Sequence, residues 1–155
     1  MGLDMYLYAE KYVSAYSFSY DEEKELYSKP KSTLDAGEFV DPETPSVTVK
    51  FSVGYWRKAN AIHNWFVNRV QGGEDDCGEY YVSREDLRLL KETCKQILED
   101  NTKARELLPP KSGFFFGSTY IDECYFQDLA ETVAIIDKLE KHLPESWNIK
   151  YRSSW

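Results

Sequence analysis

VTVKFSVGYWRKANAIHNWFVNRV, residues 47–70, opens on one periodicity and closes on another, and the change decides the fold. Val47, Val49, Phe51 and Val53 alternate with Thr48, Lys50 and Ser52, the two-residue period of a strand with one buried face. Gly54 is read as the end of that strand. From about Tyr55 to Val70 the apolar positions Ala59, Ile62, Phe66 and Val70 recur at helical spacing, and Gln71-Gly72-Gly73 supplies the stop.

Working outward, Leu3, Met5 and Leu7 alternate with Asp4, Tyr6 and Tyr8, which predicts a first strand. Between Tyr12 and Pro45 periodicity is lost, and Asp21, Glu22, Glu23, Glu25, Asp35, Glu38, Asp41 and Glu43 collect among Pro30, Gly37, Pro42 and Pro45. That stretch is expected to be an acidic loop or insertion at about 21–45 within a single domain, 1–155. Ser83 with Asp86 three residues later predicts the capped start of a helix whose inner face is Leu87, Leu90, Cys94, Ile97 and Leu98. Asn101 to Leu108 continues as a broken or second short helix. Gly113-Phe114-Phe115-Phe116-Gly117 reads as a short buried extended segment, and a helix begins at Asp122-Glu123 with Phe126, Leu129, Val133, Ile136 and Leu143 inward. Trp147, Ile149 and Tyr151 mark a last strand.

Because three main helices are grouped between Tyr55 and Leu143, the pattern predicts an α+β fold. Its sheet is small, antiparallel or mixed, with the helices packed on one face.

Composition excludes several classes. The chain has 155 residues, 19 Lys plus Arg and 27 Asp plus Glu, for a net charge of -8, which disfavours holding nucleic acid by its phosphate backbone. An acidic chain suits a basic partner, or a groove that it enters by imitating phosphate charge. Cys77, Cys94 and Cys124 form no CxxC or CxxH spacing, so no zinc site or disulfide framework is expected. Asp4, Glu10 and Lys11 come too early for a signal peptide's apolar run, and no stretch is long enough to span a bilayer, which predicts a cytoplasmic protein away from membranes.

The chemistry-bearing residues concentrate in 53–66, where Tyr55, Trp56, Arg57, Lys58, His63 and Trp65 combine contact area with cationic donors. His63 borders the apolar stripe and is more often structural there. As a base it would need an orienting carboxylate and a nucleophile such as Cys77 or Ser118. His142, in the last turn of a helix, suits the dipole. Glu74, Asp75, Asp76 and Glu79 do not match a calcium loop, and Cys77 among them is poorly placed to become a thiolate. Gly117-Ser118-Thr119 before Asp122, set against Arg57 and Lys58, is the arrangement expected of a nucleotide-like pocket. Backbone amides and a guanidinium would take a phosphate while Tyr55 and Trp56 stack on a base. The bland reading is that these glycines and hydroxyls only turn the chain and cap a helix. The candidate ligand-binding residues are therefore Tyr55, Trp56, Arg57, Lys58, His63, Ser118, Thr119 and Asp122, with no cofactor and no metal.

MGLDMYLYAEKYV, VGYWRKANAIHNWFV, DDCGEYYVS and FFFGSTYIDECYFQDL together resemble a family of small proteins encoded in tailed-phage and prophage genomes, over most of the chain outside Asp21 to Pro45. The family carries no established activity, so the resemblance implies a genomic setting and assigns no catalytic residue. Accessory proteins of that setting often act by binding, which implies a counter-defence or host-takeover factor. Such a factor would bind a host protein or a small nucleotide-like ligand in the host cytoplasm, and a homo-oligomer is compatible with that setting. The alternatives are a small hydrolase or nucleotide-processing enzyme using His63, and a phage structural or assembly protein.

Overall fold

A computed structural model describes every residue except Met1 and Glu38, so Glu38 of the acidic stretch lies outside the described residues. The elements run β1 Asp4–Ser14, α1 Asp21–Thr33, β2 Ser46–Arg57, α2 Asn60–Arg69, β3 Glu79–Tyr81, α3 Arg84–Glu99, a 3-10 turn Asn101–Lys103, α4 Ala104–Leu107, α5 Glu123–His142 and β4 Asn148–Ser154. The fold is α+β, with a four-stranded antiparallel sheet in the order β2-β1-β4-β3. By contacts the chain divides into two compact units, residues 1–9 with 52–155 and residues 10–51.

In the larger unit Leu3, just before β1, and Met5 and Leu7 on it are completely buried, and β4 by the same alternation buries Ile149, Tyr151 and Ser153. Tyr151 stacks on Phe66 of α2 at 4.0 Å and 8°. Trp56 of β2 reaches α5 through its indole N–H, which donates to the Thr132 hydroxyl at 2.9 Å. Strand β3 pairs antiparallel with β4, matching Glu79 to Arg152 and Tyr81 to Lys150. Helix α3 buries Leu87, Leu90, Cys94 and Ile97. It is tied to α5 by Lys91, which meets Asp137 at 3.1 Å and also bonds Glu140. The Ser83 cap is present, its hydroxyl accepting from the Asp86 amide at 2.9 Å.

Three sequence expectations are corrected. The strand does not stop at Gly54, and α2 begins at Asn60 rather than Tyr55. A Cβ on Gly54 would stand 2.9 Å from Ile135 Cγ2 and 3.3 Å from Leu7 Cβ, so this glycine marks where α5 approaches the sheet and not where the strand ends. Second, the triple phenylalanine is a turn in which only Phe116 is buried, while Phe114 and Phe115 are exposed. Third, the described residues hold five helices: the three main ones, the short α4 within the stretch 101–108 where a short helix was expected, and α1, which was not expected.

The smaller unit holds α1, inside the stretch expected to be an acidic loop or insertion. Its only described buried residue is Tyr27, so no apolar stripe announces it. What supports it is local: Glu23 accepts from the Tyr20 amide at 3.2 Å, and Lys29 pairs with Glu25 at 2.7 Å one turn apart.

Candidate functional site

A cleft of about 290 Å³ opens in the larger unit, bounded by the end of β2, the first turn of α2, the segment 117–120 and the first turns of α5. Its volume sits at the lower edge of the roughly 300–1,000 Å³ usual for small-molecule sites.

The β2 wall ends on Arg57 and Lys58. Lys58 adopts a left-handed backbone (φ 62°), fixed by its amide donating to the Leu3 carbonyl at 2.7 Å. Gly117 packs directly against it: at φ 91°, a Cβ there would lie 3.0 Å from Lys58 Cβ and 3.3 Å from the Lys58 carbonyl oxygen. The two turns can touch only because one of them carries no side chain. Arg57 is largely exposed and its Nε comes no nearer than 3.9 Å to Asp4, a contact worth little in water. Lys58 has no ion-pair partner among the described residues.

The α2 wall begins at an N-cap, Ala59, that offers no side-chain acceptor, and its first turn carries no acidic residue. The Ala61 and Ile62 amides therefore meet no capping side chain at the positive end of the helix dipole. Asn60 next to them is buried and spends its amide on the neighbouring segment. Its Nδ2 donates to the Phe116 carbonyl at 3.1 Å and to the Ser118 carbonyl at 2.7 Å, while its Oδ1 accepts from the Lys111 amide at 3.0 Å.

The α5 wall carries Asp122, which caps the helix by accepting from the Tyr125 amide at 3.2 Å. Tyr125 is buried with its hydroxyl donating to the Leu108 carbonyl at 2.8 Å, and burial raises its pKa well above the usual phenol value. Asp128, one turn on, is half-buried and its carboxylate has no hydrogen-bond or ion-pair partner among the described residues. Desolvation, then the charges of Glu131 and Asp122, push its pKa up to about 7.

Of the sequence-nominated residues, Arg57, Lys58, Ser118 and Asp122 line this cleft. The other four do not. Trp56 is core. Tyr55 donates to Asp4 at 2.5 Å and packs beside the Tyr6 ring. Neither ring is therefore available to stack on a base in the cleft. Thr119 is exposed outside it. His63 is 1% exposed, with Nδ1 2.7 Å from the Tyr151 hydroxyl and Nε2 2.9 Å from Asp75 Oδ2. Burial, then the Asp75 charge, push the Tyr151 hydroxyl's pKa well above its usual range, and the ring is held between that hydroxyl and the Asp75 carboxylate. Trp155 completes the chain by donating to the other Asp75 oxygen at 3.0 Å. Both ring nitrogens are thus occupied, and Cys77 and Ser118 are not partners of the ring.

Sequence reasoning missed Asn60 and Asp128. The first carries no signal beyond its place at a helix start. The second was detectable as an acid one position before Leu129, on the edge of an otherwise apolar stripe. Among the described residues no cluster of His, Cys, Asp and Glu is arranged to hold a metal ion, and no helix is long and apolar enough to cross a membrane. No family model, curated protein or solved structure matches the chain.

Proposed function

We propose that the protein is a binding module that takes a small phosphate-bearing, nucleotide-like ligand in the cleft between Lys58 and Asp128, and that it serves as an accessory factor of a phage or prophage. The observation that supports the reading is the convergence, on one cavity, of two cations and an uncapped helix start. Arg57 and Lys58 supply charge, and the Ala61 and Ile62 amides supply directed donors, the combination that anions favour. The phage setting rests on the resemblance alone. His63 lends no support to an enzymatic role, since a base with both nitrogens buried and bonded has no free lone pair for a substrate.

Calorimetric titration with ribose 5-phosphate tests the proposal. Saturable binding that weakens by about tenfold in Lys58→Ala, a loss of the size expected for one charge-assisted contact, supports it. Binding indifferent to Lys58→Ala, or no binding, removes it.

A second reading, a host-protein partner, is favoured by Phe114 and Phe115, whose exposed rings pack 4.2 Å apart on a turn braced by Asn60. Exposed aromatic pairs on rigid turns are efficient docking anchors. Replacing both by Ser is expected to abolish recovery of such a partner while leaving ribose 5-phosphate binding unchanged.

A further inference from the structure

An anion at the Lys58 end fills only part of the cleft. The opposite wall offers a carboxyl that no described residue engages. Asp128 emerges half-buried from the second turn of α5, and its side chain bonds no described residue. Glu131, by contrast, is occupied by Gln127 at 2.9 Å, and Asp122 by the Tyr125 amide. A half-buried carboxyl without a partner is costly to keep unless something else completes its hydrogen bonds.

We infer that Asp128 is the base-recognising group of the cleft, and that it pairs with the amidine edge of a nucleobase, adenine or cytosine, whose phosphate lies toward Lys58. This rests on the cleft being an anion site. A protonated carboxyl presents one O–H donor and one carbonyl acceptor side by side. The amidine edge presents a ring nitrogen acceptor beside an exocyclic N–H donor, so two parallel hydrogen bonds form. Guanine offers two adjacent donors instead, which suit an ionised carboxylate and not a protonated one.

The surroundings select the protonated form. On α5, Asp122 and Glu131 add negative charge, while Cys124 contributes a thiol and Tyr125 a buried phenol whose pKa is raised. The 117–120 segment contributes the Tyr120 hydroxyl, and α2 contributes only Asn60, Ala61 and Ile62, none of them titratable. Arg57 and Lys58 line the same cleft, yet neither comes within ion-pairing distance of Asp128, and its pKa stands near 7 in their presence. Base binding therefore strengthens as pH falls through neutrality.

The test compares AMP, GMP and ribose 5-phosphate by calorimetry at about pH 6 and about pH 8 on the intact chain. Dividing the AMP affinity by that of ribose 5-phosphate cancels the phosphate's own titration near the same pH. That ratio is expected to fall by up to about tenfold from the lower to the higher pH, following the protonated fraction of Asp128. Asp128→Asn distinguishes recognition from mere charge: its amide also presents a donor beside an acceptor, as asparagine does toward adenine. The variant is expected to keep the high ratio at both pH values, whereas Asp128→Ala drops it to about one. Ribose 5-phosphate binding with no advantage for AMP, a preference for GMP that grows toward high pH, or equal behaviour of Asp128→Asn and Asp128→Ala would each overturn this inference alone. No binding of ribose 5-phosphate overturns the cleft reading and this one together. Thermal melts of both variants guard against unfolding as the cause.

Discussion

The side chain of Asn60 reaches the Ser118 carbonyl at 2.7 Å, joining the start of α2 to the segment before α5 across 58 positions of sequence. Through it and its bonds to Phe116 and Lys111, one buried amide holds the cleft's two central walls at fixed spacing. Asn60→Ala leaves three backbone groups without that partner. It is expected to cost roughly 2–4 kcal/mol of stability in urea unfolding and to weaken ribose 5-phosphate binding. A variant as stable as the parent would show that water replaces the clamp without loss.

Gly117 carries a second prediction. At its φ of 91° a side chain is strained, and the 3.0 Å approach of Lys58 Cβ means the neighbouring turn would have to yield to a methyl group. Gly117→Ala is expected to destabilise by about 1–3 kcal/mol, because strain and clash both fall on the turn that positions Lys58. Thermal melting checks it, and Gly72→Ala is the control: Gly72 also has positive φ, 66°, but nothing lies within 4 Å of its Cβ position, so the smaller loss there isolates the clash.

The His63 relay predicts loss of stability from either end. Tyr151→Phe removes the hydroxyl that bonds Nδ1 and is expected to cost about 1–3 kcal/mol, the range for one buried group left unpaired. His63→Asn should cost at least as much, since it cannot reach both Tyr151 and Asp75 and leaves space against Phe116. An unchanged urea midpoint for His63→Asn would remove the structural role assigned here and return the residue to the list of candidate bases.

Asp128 links the cleft to pH. Its carboxyl titrates near 3.8 in an unfolded chain and about 7 in the folded one. Below about pH 4 both states hold the proton and the residue is neutral to stability. As pH rises from there to about 7 the unfolded chain releases the proton first, so folded stability falls, and above about 7 the full penalty remains. Asp128→Asn is therefore expected to melt with the parent at about pH 4 and above it at about pH 8. A melting difference that does not change with pH would contradict the raised pKa.

The strands were legible wherever one face is buried against helices: Leu3, Met5 and Leu7, and again Ile149 and Tyr151, announce themselves by alternation. The face of α3 at Leu87, Leu90, Cys94 and Ile97, the cap at Ser83 and the acidic helix start at Asp122 were equally plain, although Leu98, expected on that face, is exposed. Helix α1 was hidden because local ion pairs, not an apolar stripe, hold it. The boundary between β2 and α2 was misplaced because Gly54 was read as a breaker, when its missing side chain admits Ile135. Of the nominated residues, Arg57, Lys58, Ser118 and Asp122 come to one cleft because they flank turns, where side chains have few apolar alternatives. Trp56 and His63 misled because their polar tips find partners, Thr132 for one and Asp75 with Tyr151 for the other, that lie far away in sequence. Only coordinates show such pairings.

Amide chemical-shift mapping with ribose 5-phosphate addresses the anion cleft most directly. Perturbations that saturate and concentrate on Lys58, Ala61, Ile62, Gly117 and Ser118 are the predicted result. Shifts scattered over the surface, or confined to residues away from these two turns, would contradict it.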